Sequence, residues 1–155
     1  INIDANPLSV ELFKVVRKND YNFNLAITKR RKKKIKLFYR RKMNILNTTN
    51  EKFAKITFPN GYETAKVKCS SLTKVLDKTK YKGRVIDFLD VDVESTDKDV
   101  LESLNFNIYK PKLICVEIHF NKLKDVKFNA TYQFLLKKGY KLVWRKKISF
   151  MFLRA

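Results

Sequence analysis

Acidic residues stand where apolar runs end: Asp4 after Ile1-Asn2-Ile3, Asp92 and Glu94 after the run over 85–91, and Glu117 near the end of the run over 112–118. On a strand, Asp92 and Glu94 share a face with Asp90, their side chains about 7 Å apart. Carboxylates crowded in this way repel, which raises one pKa and produces a base for a substrate hydroxyl, or else draws in a cation. At Asp4 a single carboxylate can accept from both hydroxyls of a vicinal diol. The ordinary alternatives are an Asx turn before Pro7 for Asp4, and for Glu94 and Asp97 a place at the positive N-terminus of the next helix. His119 shares the face of Glu117 and serves as a second base or as a solvated structural histidine. Asn47-Thr48-Thr49-Asn50 has the composition of a plain polar loop. One histidine and two cysteines, Cys69 and Cys115, do not assemble a closed zinc site, and no metal is assigned.

The elements that must position these groups follow from pattern. Asn6 caps a helix with Pro7 at its first position, and Leu8, Leu12, Val15 and Val16 recur at helical spacing up to about Lys18. Strands are expected over 23–28 and 35–39, paired as a hairpin across the basic run Lys29-Arg30-Arg31-Lys32-Lys33-Lys34. The stretch 40–66 reads as loop and excursion, with a turn at Pro59-Asn60-Gly61. A short strand over 65–69 leads to a helix capped by Ser70 or Ser71 with Leu72, Val75 and Leu76 on one face. An interior strand over 85–91 is followed by a helix opened by a Thr96/Asp99 capping box and burying Val100, Leu101 and Leu104. Then come a strand over 112–118, a helix over 129–138 stopped by Gly139, and closing strands over 141–144 and 148–154. Strands alternating with helices imply a mostly parallel α/β sheet covered on both faces, with an antiparallel C-terminal edge. In such sheets ligands lie beyond the carboxyl ends of the strands, where Asp4, Asp92, Glu94 and Glu117 fall.

Ile1-Asn2-Ile3-Asp4-Ala5-Asn6-Pro7, Arg17-Lys18-Asn19-Asp20-Tyr21-Asn22, Ile86-Asp87-Phe88-Leu89-Asp90-Val91-Asp92-Val93-Glu94, Val100-Leu101, Pro111-Lys112 and Val116-Glu117 together resemble an FkbM-type methyltransferase. The resemblance covers nearly the whole chain and matches the C-terminal two-thirds of such an enzyme. It implies a Rossmann-like fold, S-adenosylmethionine as cofactor, and O-methylation of a hydroxyl on a sugar, glycolipid or related metabolite. It also implies a ribose-binding role for Asp4, catalytic roles for Asp92 or Glu94, and acceptor contacts for Glu117, Thr48 and Thr49. Ser95 stands where the family has glycine and Asp97 where it has an acid; serine there is strained if φ is positive. The first strand of that fold and its glycine-rich turn have no counterpart, since Gly61, Gly83 and Gly139 lie elsewhere. The expectation is therefore one partial domain over 1–155, beginning in mid-fold, with an incomplete cofactor pocket and an exposed sheet edge.

With 155 residues, 45% of them hydrophobic, the chain is long enough for one packed domain, and its composition excludes collagen-like and acidic disordered classes. No apolar run reaches the length of a bilayer span, and the start does not resemble a signal peptide. Two scattered cysteines fit reduced thiols, so a soluble, cytoplasmic protein is expected. Lys and Arg outnumber Asp and Glu by 35 to 15. That excess supports an alternative reading as a nucleic-acid or anionic-surface binder with residues 29–36 as a basic arm, against which stands a codon bias toward lysine. A degenerate Rossmann-like domain without chemistry is the third reading. The acceptor and the oligomeric state are left open.

Overall fold

In the computed structural model, which describes residues 1–41, 44–120 and 122–155, the apolar runs become strands that gather in three sheets. Lys42 and Met43, within the expected excursion, and Asn121 lie outside the described residues. Strand β1 (Asn2–Asp4) runs into helix α1 (Pro7–Val16), and β2 (Asn22–Asn24) returns parallel to β1. Strands β3 (Ala26–Ile27) and β4 (Lys34–Tyr39) are followed by α2 (Glu51–Thr57), β5 (Glu63–Ser70) and α3 (Leu72–Leu76). The C-terminal part contains β6 (Phe88–Val91), α4 (Asp97–Glu102), β7 (Leu113–Glu117), a 3₁₀ turn (Leu123–Phe128), α5 (Ala130–Lys137), β8 (Tyr140–Lys146) and β9 (Ser149–Arg154).

The four-stranded sheet has the order β6-β7-β9-β8, parallel between β6 and β7 and antiparallel from there on. Its core is built from Leu72 and Leu76 of α3, Val100 and Leu101 of α4, Leu135 of α5, and Ile114, Val116, Phe150 and Phe152 of the strands. Ile114, Phe150, Phe152, Leu101 and Leu135 are completely buried. Each such side chain contributes about 1.5–3 kcal/mol as an upper estimate, so the carboxyl ends of β6 and β7 are anchored on the best-packed part of the molecule. The buried stripes expected for α3 and α4 are the ones observed.

The fold is mixed α/β, but the expected single, mostly parallel sheet is divided. Among the described residues no strand lies between β1 and β6, so the β1–β2 pair and the four-stranded sheet stay separate. The expected hairpin between the second and third strands does not form. Instead β3 pairs in parallel and β4 antiparallel with opposite edges of β5. The hydroxyl of Thr28 accepts from the Arg30 N–H (3.1 Å) and donates to Asp99 of α4, which turns the chain toward α4 before the basic run begins.

Helix α2 lies inside the stretch read as loop. Asn50 caps it by accepting from the Lys52 and Phe53 N–H groups, and Ala54 buries completely beside Phe38 and Phe58. Ile56 remains exposed, so the helix lacks the wide apolar stripe that reveals a helix in sequence. In α1 the cap forms as expected, with Asn6 accepting from Leu8 N–H (3.0 Å), yet Leu12, Val15 and Val16 face outward and Val10 is the residue buried.

Candidate active site

Asp4 ends β1, and its Oδ1 accepts from the Asn6 N–H (2.8 Å), so the Asx turn is present. The Asn24 side chain donates to the Asp4 and Ala5 carbonyls (3.1 and 3.0 Å), locking the β1 exit to β2. Asp92, Val93, Glu94 and Thr96 follow the end of β6. Asp4, Asp92 and Glu94 line one cleft of ≈ 420 Å³, together with Asn6, Asn47 and Thr49. None of the three glycines lines it.

The extended face shared by Asp90, Asp92 and Glu94 does not continue as expected. The strand stops at Val91, and Glu94 and Ser95 take left-handed φ values of 50° and 76°. The backbone therefore turns at Glu94, and strand alternation no longer describes it. Two consecutive left-handed non-glycine residues cost about 1–2 kcal/mol each, and such geometry persists only where neighbours enforce it. The enforcing groups come from residues 47–50. Thr48 is buried and its hydroxyl donates to the Glu94 carbonyl (2.7 Å), while the Asn50 side chain donates to Ser95 Oγ (3.0 Å). Thr48 is thus built into the elbow, and of these two threonines Thr49 lines the cleft. The expected capping box is absent: Thr96 caps α4 without a side-chain bond to the helix, its hydroxyl donating instead to the Val93 carbonyl (3.2 Å), and Asp99 accepts from Thr28.

The acids interact as a group. Burial, then the charges of Asp92 and Glu117, push the Glu94 carboxyl up to about 7. Asp92 is raised by burial and by Asp90, with His119 opposing, and Glu117 by burial and by Asp92, again against His119. Glu94, Glu117 and His119 hold their ligand atoms within 4.8 Å of one another, a spacing that can chelate a cation. His119 Nε2 lies 3.8 Å from Glu117 Oε2, and its ring packs beside Phe53. Neither Glu117 nor His119 lines the ≈ 420 Å³ cleft.

Asp97, read from the sequence as a helix-start acid and as a family position, is 4% exposed, and its Oδ1 finds no hydrogen-bond partner among the described residues. Burial is the main reason its pKa rises to about 7, and Asp92 and Glu117 add to it. Between its ordinary 3.8 and about 7 the folded chain holds a proton that the unfolded chain has released. Stability therefore falls as pH rises through that window and levels off above it. Asp97→Asn is expected to exceed the parent in urea-melt stability by on the order of 2 kcal/mol above about pH 7, and to match it near pH 4. A pH-independent difference would show that Asp97 is ionised throughout.

Sequence reasoning missed the clamp formed by Asn50 on Ser95. Its signal was the Asn50-Glu51 helix start, which also marks α2. It also missed a lysine-lined cleft of ≈ 1020 Å³ beside the site, whose strands pair only in three dimensions.

Among the described residues no helix is long and apolar enough to cross a membrane. No curated relative and no solved structure matches the chain. A family model described as the methyltransferase FkbM domain matches residues 1–142.

Proposed function

This chain belongs to the FkbM methyltransferase domain family, and we propose that it acts on S-adenosylmethionine and a hydroxyl acceptor, a sugar, glycolipid or related small molecule. The observation that carries the reading is the shared cleft: Asp4 at the end of β1 and Asp92 and Glu94 beyond β6 line one cavity. Carboxyl-end clefts of α/β sheets are where such ligands bind. At ≈ 420 Å³ the cavity lies within the usual range for small-ligand sites. The cofactor fits the donor set on its ribose side, where Asp4 offers a carboxylate.

When bound, S-adenosylmethionine supplies an electrophilic methyl group on a sulfonium. Asp4 would accept from the ribose hydroxyls of the cofactor. Glu94, its carboxyl held basic by burial and by the Asp92 and Glu117 charges, would take the proton of the acceptor hydroxyl, while the methyl group would pass to the acceptor oxygen and the thioether would leave as S-adenosylhomocysteine. Thr49, which lines the cleft, would orient the acceptor, and Glu117, outside it, would act through its charge on Glu94. Most of the rate enhancement then comes from alignment of the acceptor oxygen with the methyl carbon.

The same reading places one more strand between β1 and β6 in the complete sheet. Each of these strands has a strand neighbour on only one edge among the described residues. A cleft of ≈ 610 Å³, lined by Ile1, by Ile3 of β1 and by Phe88, Leu89 and Val91 of β6, separates them. A strand parallel to both would fill it and give the order β2-β1-new-β6-β7-β9-β8. Free thiols at Cys69 and Cys115 suit a reducing cytoplasmic setting.

Amide NMR tests the assignment. Titrating S-adenosylmethionine is expected to shift the Asp4, Ala5, Asn6 and Glu94 resonances and leave those of β8 in place. Millimolar cofactor that moves none of the cleft resonances would refute it.

A further inference from the structure

The ≈ 1020 Å³ cleft borders the site directly, since Thr49 and Thr96 belong to the walls of both cavities. Its walls come from the segment after β3, one face of the β4–β5 ribbon, the start of α2 and the first turns of α4. Arg30, Lys32, Lys34, Lys36, Lys52 and Lys66 line it, and none has a carboxylate within salt-bridge distance among the described residues.

The acids in the same walls are already engaged. Glu102 pairs with both Lys29 and Lys98, Glu51 pairs with Lys55 (3.1 Å), and Asp99 accepts from Thr28. The cleft therefore has a surplus of positive charge that the protein leaves uncompensated.

The surplus is concentrated by register. Lys34 sits opposite Lys68 and Lys36 opposite Lys66, two successive like-charge pairs on one face of the antiparallel ribbon. Like charges directly opposite one another destabilise a strand pair. Codon bias toward lysine scatters charge over a surface and does not explain Lys36 facing Lys66 within one cavity wall, with Lys34 beside them in the same wall. A bound anion turns this repulsion into attraction, most strongly where the walls exclude water.

We propose that this cleft binds the phosphate-bearing part of the methyl acceptor, so that the acceptor is a phosphorylated saccharide. The proposal rests on the methyltransferase reading and adds the substrate class to it. Among the described residues the aromatic one in the cleft wall is Phe38, which is buried, so among them the cleft has no exposed ring on which bases stack as single-stranded RNA requires.

The test is calorimetric titration of the full chain with glucose 1,6-bisphosphate, glucose, dioleoyl phosphatidic acid vesicles, a phosphate-containing oligouridine and, in parallel, S-adenosylmethionine. Glucose 1,6-bisphosphate is expected to bind and glucose not to. The double variant Lys36→Glu/Lys66→Glu should weaken bisphosphate binding by about tenfold or more while leaving S-adenosylmethionine affinity unchanged. Lys124→Glu/Lys127→Glu, with the same charge change on exposed residues outside the cleft, should bind as the parent does, and circular dichroism of both variants should show the parent fold. Vesicle binding that depends on Lys36 and Lys66 places the phosphorylated group on a lipid; binding of the soluble bisphosphate alone places it on a free saccharide. Oligouridine binding tighter than the bisphosphate at equal charge, equal binding of glucose, or an unaffected Lys36→Glu/Lys66→Glu variant would each overturn the proposal. Loss of cofactor binding with bisphosphate binding intact would remove the methyltransferase reading and leave an anion site.

Discussion

Replacing Asp4 with alanine is expected to weaken S-adenosylmethionine binding by about a hundredfold, the equivalent of about 3 kcal/mol from hydrogen bonds to a charged acceptor. The carboxylate stands at the β1 exit and lines the cleft that also holds Asp92 and Glu94. Alanine also removes the acceptor for the Asn6 N–H, a bond of 2.8 Å that shapes the start of α1. Asp4→Asn separates the two effects, since its amide oxygen keeps the turn but lacks the charge. It should keep the parent melting temperature and lose about tenfold in affinity. If asparagine binds as aspartate does while alanine does not, Asp4 acts through the turn. If both variants bind like the parent, the ribose assignment is wrong.

Glu94→Gln is expected to lower turnover by roughly a hundredfold or more with cofactor affinity unchanged, as for removal of a general base. The pH dependence gives a sharper reading. Only the ionised carboxylate can take the acceptor proton, and burial with the Asp92 and Glu117 charges holds Glu94 up to about 7. Parent activity should therefore rise about tenfold per pH unit below that value and flatten above it, a limb the glutamine variant lacks. Glutamine that retains the limb would pass the role to Asp92 or Glu117. A merely structural Glu94 would instead change stability and leave the shape of the profile alone.

The elbow explains why one of the family's departures is tolerable. Ser95 occupies the expected glycine place at a φ of 76°, so the strain anticipated for serine is present. Its hydroxyl gains a bond from Asn50, and Thr48 holds the preceding carbonyl. A glycine would relax the angle and lose the Ser95 bond.

Local chemistry was legible where a residue acts on its near neighbours. The Asn6 cap, a serine cap at 70 or 71, the buried faces of α3 and α4 and the Asn129–Gly139 limits of α5 need only a few adjacent residues, and the structure selects Ser71. Strand pairing was less legible. The second and third strands carry good strand residues, but nothing local to them shows that β5, which begins 24 residues after the end of β4, takes a place between them. The outward turn of Leu12, Val15 and Val16 follows from how α1 seats on β1 and β2, and helical spacing alone does not choose which side of a helix is covered.

What the sequence determined by itself was the presence of acids at strand ends, because apolar runs and their polar terminators are properties of contiguous residues. It also determined family membership, which rests on residues in order along the chain. Only the tertiary structure decided that Asp4 and Glu94, ninety residues apart, share one cleft, that Thr48 and Asn50 clamp the Glu94–Ser95 turn, and that Lys36 faces Lys66. Those relations depend on strand order and register, which follow from burying the Phe150, Phe152 and Ile114 core and, beside β4, the Phe38, Ala54 and Phe58 cluster, and not from any segment alone.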